Sequence, residues 1–185
     1  MSNIKKIVRN QNLPLLPLRG LTVFPYMILH FDVGRTKSIK AIEEAMINNQ
    51  LLFLISQKDA KSEEPSIDDL YEVSTISRVK QLPKLPGDTI RVLVESISRA
   101  KISKIVQSDP FFEVECTENI TIIQEEEQLE LEALKRQVLY VFETYSKLSN
   151  KLSIEAVISI MSIDDIEQLS DSIAANLFLK LEQKQ

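Results

Sequence analysis

The chain has 185 residues, with 22 Lys or Arg against 27 Asp or Glu, so its net charge is −5 and it lacks the basic excess of nucleic-acid-binding proteins. One cysteine excludes an intramolecular disulfide, and with a single histidine it also disfavours a zinc site or a Cys–His nucleophile pair. Three glycines are too few for a phosphate-binding loop, and no apolar run is long enough to span a bilayer.

The chain begins with a polar segment followed by two extended ones. Residues 1–12 are polar and predict a flexible terminus. The apolar run at residues 13–18 contains two prolines, which exclude a helix interior or a central strand, so the run predicts an extended edge segment against a core. A break at residues 24–26 precedes a second strand, predicted over residues 27–33.

A helix and a buried strand are predicted next. Ile39, Ile42 and Ala45 recur at helical spacing and predict a helix over residues 36–48. The short run LLFLI, residues 51–55, is apolar on both faces and predicts a buried strand. Charged residues and Pro65 then indicate a loop up to Asp69.

Strand patterns dominate the following part of the chain. Residues 71–81 and 89–95 alternate around a turn containing Pro86 and Gly87, which is typical of a hairpin. Two further strands are predicted over residues 100–106 and 111–123. The sequence therefore predicts an α+β protein in which residues 13–123 form a mostly antiparallel, partly closed sheet with one helix.

Residues 124–185 predict a small helical bundle. Their first helix carries one apolar seam, formed by Leu131, Leu134, Val138, Val141, Tyr145 and Leu148. Ser153 is placed to cap a second helix, and a third follows over residues 166–177. The last residues, 179–185, begin a new amphipathic pattern, so we expect a chain cut before a longer helix, with a fraying natural terminus as the alternative.

The candidate binding residues are apolar side chains in turns, where polar residues are usual because turns face water. Such a turn either folds back on the core or presents an adhesive patch, and the sequence leaves both alternatives open. If two such turns share one side of the sheet, they could hold an unfolded segment. The candidates are Phe24, Pro25, Tyr26 and Met27 in one turn, and Leu82, Leu85 and Pro86 in another.

The other reactive or charged residues have structural explanations. Cys116 alternates with Val114 along a strand and is interpreted as a small core residue. The pairs Asp68-Asp69 and Asp164-Asp165 precede apolar residues and are interpreted as loop ends and helix caps. A basic cluster of Arg35, Lys37 and Lys40 at the start of the first helix is either a solvated face or a partner contact.

Several segments, taken in order, resemble one protein family. They are LPLLPLRGLTVFPYMILHFDVGR at residues 13–35, AIEEAM at 41–46, QKD at 57–59, DDLYEV at 68–73, KLPG at 84–87 and RVLVE at 91–95. Their order and spacing over residues 13–105 are similar to the N-terminal domain of the ATP-dependent Lon proteases. The Pro-Gly-Asp at 86–88 departs from the Pro-Asp-Gly-type turn more usual in the family, and this puts only the turn type in doubt.

This resemblance carries expectations about fold and function. It implies a PUA-like pseudo-barrel. It also implies a non-catalytic domain that takes part in protein quality control by engaging exposed hydrophobic segments of misfolded proteins or of regulatory proteins that carry a degron. It implies a cytoplasmic, hexameric parent serine protease whose ATP and Mg²⁺ sites lie outside this chain. No cofactor, metal, nucleic acid or membrane is expected here. Alternatives are a freestanding adaptor, RNA binding on the sheet, which the acidic balance disfavours, and, least supported, an autonomous enzyme.

Overall fold

The computed structural model describes residues 5–83, 89–122, 128–149 and 151–185. The chain divides into two units, which we call the strand unit (residues 8–119 and 179–185) and the helical unit (residues 1–7 and 120–178). The strands are β1 (Lys5–Leu18), β2 (Ile28–Val33), β3 (Leu51–Ser56), β4 (Val73–Gln81), β5 (Ile90–Gln107) and β6 (Glu113–Ile122). The helices are α1 (Thr36–Ile47), α2 (Gln128–Ser149), α3 (Ile154–Met161), α4 (Ile166–Asn176) and α5 (Leu181–Lys184), and a single 3₁₀ turn spans Ile67–Asp69.

All six strands belong to one mixed sheet in the order β2-β5-β4-β3-β1-β6. The β1–β3 pairing is parallel, whereas β2–β5, β3–β4, β4–β5 and β5–β6 are antiparallel. Because β5 also pairs with β6, the pairings β5-β4-β3-β1-β6 return to β5. The predicted α+β class is confirmed, with a mixed sheet of six strands plus helices, while the PUA-like pseudo-barrel remains a prediction.

Strand β1 differs from the sequence expectation in two respects. It lies between β3 and β6 and not at an edge, and it includes residues 5–12, which the sequence predicts as a flexible terminus. The prolines are tolerated because pairing with β3 starts at Leu15, one residue after Pro14. On the other side, Leu15 N–H donates to the Phe112 carbonyl at 2.7 Å, just before β6 begins, so Pro17 lies beyond the end of that pairing.

The core of the strand unit consists of two apolar clusters on opposite faces of β1 and β3. Leu16 and Leu54 belong to one cluster, which α1 covers with Ile42 and Ala45. Neighbouring residues Leu15 and Phe53 point the other way into a second cluster that includes Ile76, Val114 and Cys116. Burial on both faces explains the continuous apolar runs at residues 13–18 of β1 and at residues 51–55 of β3, the latter predicted as a buried strand.

Strand β5 is longer than expected. The sequence predicts two strands at residues 89–95 and 100–106, but the structure has one strand of 18 residues. Shifts in the register with β4, between Ile76 and Ser77 and between Val79 and Gln81, interrupt the alternation that sequence reading relies on. This length allows β5 to pair with β2 near its start, with β4 along its middle and with β6 near its end.

The helical unit contains α2, α3 and α4 around a small core of Phe142, Ile160 and Leu169. The apolar seam predicted for α2 is wrong in most of its members: Leu134, Val138, Val141 and Leu148 are exposed. Tyr145, a predicted member of the seam, does pack against the core beside Phe142, and so does Leu139, which the predicted seam does not include. Ser153 does cap α3, its hydroxyl accepting from Ala156 N–H at 3.2 Å. The final residues, 179–185, group with the strand unit, where the Gln185 side chain donates to the Ser56 hydroxyl at 2.8 Å.

Candidate functional site

The first apolar turn, residues 24–27, divides between core and surface. Phe24 is 8% exposed and Pro25 is also buried, so neither side chain is available to a client in this conformation. Tyr26 is 45% exposed, and Met27 is half-buried with its sulfur 3.2 Å from the Phe24 N–H. Of the four predicted binding residues in this turn, Tyr26 is therefore the one that presents a large apolar surface.

The backbone of this turn holds Tyr26 in an unusual conformation. Its φ is +66°, a region favoured by glycine, and Pro25 precedes it, which is the pattern of a type II turn. Two hydrogen bonds to β5 fix the turn: Tyr26 N–H donates to the Ser96 carbonyl at 2.9 Å, and Ser96 N–H donates to the Met27 carbonyl at 2.8 Å. A large side chain at a position suited to glycine indicates that the ring has a use beyond the turn itself.

Two isoleucines extend the exposed surface beside Tyr26. Ile28 is 70% exposed and lies opposite Glu95 on β5, and Ile97, two residues further along β5, is 38% exposed. We call Tyr26, Ile28 and Ile97 the apolar patch. Sequence reasoning missed both isoleucines although a signal exists: each alternates in phase with polar neighbours, Ile28 with His30 and Ile97 with Glu95, and therefore belongs to the solvent face.

Charged pairs border the patch on the same face of the sheet. Arg91 donates to both carboxylate oxygens of Asp32, at 2.7 and 2.9 Å, and this bond lowers the pKa of Asp32. Lys80 binds Glu95 at 2.8 Å and lowers the pKa of that carboxyl in the same way. These exposed ion pairs contribute little to the free energy of unfolding. They place charged side chains next to the apolar patch, which is the apolar part of this surface.

The second apolar turn is described only in part. Leu82 is half-buried and packs against the core cluster under α1, while Leu85 and Pro86 lie outside the described residues. The Pro83 carbonyl accepts from Arg91 N–H, five residues along β5 from Ser96, or roughly 16 Å at strand spacing. Leu82 therefore packs on the core, and a shared surface of the two turns stays a prediction.

The remaining candidate residues have clear structural roles. Cys116 is fully buried, and burial raises the pKa of its thiol to about 11, so it is a core residue at neutral pH. Asp69 closes a capping box with Ser66, and Asp165 accepts from Gln168 N–H at 2.7 Å as the N-cap of α4. Within the described ranges, no group of three metal-binding side chains occurs, and no helix is long and apolar enough to cross a membrane.

Comparisons with known proteins all indicate the same family. A family model described as the ATP-dependent protease La (LON) substrate-binding domain matches residues 12–185. The chain is 51% identical over 175 residues to the Lon protease of Desulforamulus reducens and 48% identical over 179 residues to that of Clostridioides difficile, in each case over 95% of this chain. It spans only 21% and 23% of those relatives, about a fifth of their length.

A solved structure shows the same fold. The N-terminal domain of the Mycobacterium avium complex Lon protease aligns with a TM-score of 0.62, covering 94% of this chain and 87% of that chain. At 17% identity, this likeness concerns the fold alone.

Proposed function

Because the chain belongs to the family of LON substrate-binding domains, we propose that it is the client-binding part of an ATP-dependent Lon protease. In this role it holds exposed hydrophobic segments of misfolded or regulatory proteins and performs no chemistry of its own. The relatives reported above are Lon proteases, so the comparisons do not favour a freestanding adaptor.

The observation that supports this function is the apolar patch. Tyr26 and Ile28 project large apolar side chains into solvent from a turn fixed at a glycine-like backbone angle. At about 25 cal/mol per Å², covering a few hundred Å² of such surface gives only weak binding once ordering costs are subtracted. Weak binding suits a domain that must release its clients and that acts as one of several copies in an assembly.

Further properties of the parent protein belong to the same proposal. It would be a cytoplasmic hexamer whose serine peptidase and ATP–Mg²⁺ sites lie in other domains. The domain itself would bind protein clients and neither nucleic acid nor membrane, in line with its net charge of −5.

Binding of a permanently unfolded, fluorescently labelled protein, followed by anisotropy, tests this function. The double variant Tyr26→Gly/Ile28→Ser should weaken binding by about tenfold or more, because two large apolar contacts are removed. Tyr26→Gly keeps a backbone that accepts the positive φ without strain, and its melting temperature serves as the control for folding.

A matched control replaces an exposed isoleucine elsewhere in the same sheet, away from the apolar patch. Ile105 on β5 is 43% exposed, so Ile105→Ser removes the same kind of surface elsewhere and should not change binding. Equal binding by the wild-type chain and the Tyr26→Gly/Ile28→Ser variant, with both folded, would refute the patch as the client site.

A further inference from the structure

The strand unit contains a cavity that the apolar patch does not use. Its volume is about 690 Å³, within the range of small-ligand sites, and it lies between β1, the start of α1 and the segments around residues 65 and 110. Buried apolar side chains form part of its wall, namely Leu15, Pro17, Pro65 and Phe112. A smaller cavity of about 410 Å³ adjoins it, and Arg19, Arg35 and Ser38 line both.

Two arginines of this cavity are bonded to neutral acceptors only. Arg35 donates to the Gln57 side-chain oxygen at 2.6 Å and to the Ser62 carbonyl at 3.3 Å, and Arg19 donates to the Glu63 carbonyl at 3.5 Å. Neither forms an ion pair within the described part of the chain. Burial is the main cause that lowers the pKa of Arg35, and repulsion by the neighbouring Arg19 charge lowers it further. The two like charges therefore repel each other, and no carboxylate among the described residues is bonded between them.

Ser38 and an uncapped helix end lie at the same place. Ser38, in the first turn of α1, is only 5% exposed as a residue, and it lines the cavity. The N-cap of the 12-residue helix α1 is Arg35, no side chain caps this end, and the first turn carries no acidic residue. Its free N–H groups favour negative charge.

A third cation, Lys37, lines the same cavity. The Lys37 ammonium lies 5.2 Å from the centre of the Phe112 ring and donates to the Ser108 carbonyl at 2.9 Å. Its nearest carboxylate, that of Asp109, is 3.9 Å away and 86% exposed, so this ion pair is weak. The two exposed acidic residues that line the cavity, Glu63 and Glu64, form no ion pair with Arg19 or Arg35 among the residues described.

We propose that this cavity binds a carboxylate of the client polypeptide, with Arg19, Arg35, Ser38 and the amino end of α1 as donors and the apolar wall receiving an adjacent side chain. The proposal rests on the client-binding function above and adds a substrate preference: unfolded segments in which an acidic group neighbours an apolar one. An arginine–carboxylate contact supplies charge-assisted hydrogen bonds, which are stronger than neutral ones. Glu63 competes with such a ligand because its negative charge already stabilises the charged form of Arg35.

Short fluorescent peptides distinguish an acidic side chain from a chain terminus as the ligand. One peptide carries an internal Asp beside Leu and Phe with an amidated end, a second has Asn in place of Asp, and a third has Asn and a free carboxylate. Binding to the 185-residue chain is measured by anisotropy. One of the two carboxylate peptides should bind about tenfold more tightly than the amidated Asn peptide.

Three variants locate this preference. Arg19→Gln and Ser38→Ala should each reduce it, because each removes a proposed donor to the carboxylate, and the melting temperature of each variant checks that the fold is retained. Glu63→Gln should increase it by removing the competing charge. Arg136→Gln on α2, which is 77% exposed, removes the same charge elsewhere and should have no effect.

The outcomes separate this proposal from the function on which it rests. Equal affinity for all three peptides overturns the carboxylate site, as does a preference that persists in both Arg19→Gln and Ser38→Ala. If the neutral peptide still binds and loses affinity in Ile28→Ser, the proposed function stands while the carboxylate site fails. Binding of inorganic phosphate without any peptide preference would identify a simple anion site and would also overturn the proposal.

Discussion

The strand unit and the helical unit differ in how much of their apolar surface is buried. In the strand unit two clusters enclose fully buried side chains such as Leu13, Phe53 and Ile55. Among the described residues of the helical unit, the buried apolar side chains are Phe142, Ile160 and Leu169, while Leu148, Ile154 and Tyr140 are more than 70% exposed. Both units contain regular secondary structure, so regular hydrogen bonding alone does not indicate where stability resides.

This difference follows from how each element is covered. Strands β1 and β3 have neighbours on both edges and apolar clusters on both faces, so the side chains of residues 13–18 in β1 and 52–56 in β3 are removed from water. Helix α2 is 22 residues long, yet Phe142 is its one buried residue among those described. Since burial of apolar area is the main source of stability, we expect the strand unit to be the more stable of the two.

The largest expected effect comes from truncating one buried phenylalanine in each unit. Phe53→Ala should destabilise the strand unit by about 3–5 kcal/mol, because it leaves a cavity in a well-packed core. Phe142→Ala should abolish hydrogen-exchange protection in α2, α3 and α4 while the protection of β3 and β4 is retained. Chemical denaturation combined with exchange mass spectrometry measures both effects. Loss of strand protection in Phe142→Ala would mean that the two units unfold together.

A smaller effect is expected from Cys116 at alkaline pH. The folded thiol keeps its proton up to a pKa of about 11, whereas the unfolded thiol loses it from its ordinary pKa of 9.0, so its contribution to stability is present below pH 9 and falls as pH rises. Relative to Cys116→Ala, the wild-type chain should lose roughly 1 kcal/mol of unfolding free energy between pH 8 and pH 10. Urea titrations across that range measure the difference, and parallel pH profiles for the two chains would contradict it.

The N-cap of α3 provides a test within the helical unit. Ser153→Ala removes the hydroxyl that accepts from Ala156 N–H, which should destabilise that unit by about 1 kcal/mol. Ser153→Asp, which restores an acceptor, should recover most of the loss. Exchange protection of α3 is the relevant measurement, and unchanged protection in Ser153→Ala would show that this cap does not limit the stability of the helix.

The smallest effect is expected on the exposed face of α2. Replacing Leu134, Val138 and Val141 with Gln should change the unfolding free energy of the isolated chain by less than about 0.5 kcal/mol per site, because these side chains are about half-exposed or more. Thermal unfolding of the triple variant measures this. A large destabilisation would show that these three side chains are buried against other residues, as the predicted apolar seam requires.

Local signals in the sequence were sufficient for several elements. The run LLFLI predicts a strand buried on both faces because no helix of five residues is stable alone, and β3 confirms it. The spacing of Ile39, Ile42 and Ala45 predicts α1, and Ser153 marks the start of α3 by its side-chain chemistry. For the proposed binding surface, the sequence indicates the turn at residues 24–27 as a candidate, but it does not indicate which of its side chains faces water.

The amino-acid sequence by itself determined the class of the fold, the position of most elements and the family of the chain, because periodicity, caps and turn residues act over a few neighbours. Only the tertiary structure decided which faces are covered. Strand β1 accepts two prolines because its pairing with β3 begins after Pro14 and its contact with the start of β6 ends before Pro17, and Tyr26 remains exposed while Phe24 is buried because β5 fixes the turn between them. Arg19 meets Arg35 and Ser38 at one cavity for the same reason: long-range pairing brings the end of β1 to the start of α1, which no local pattern connects.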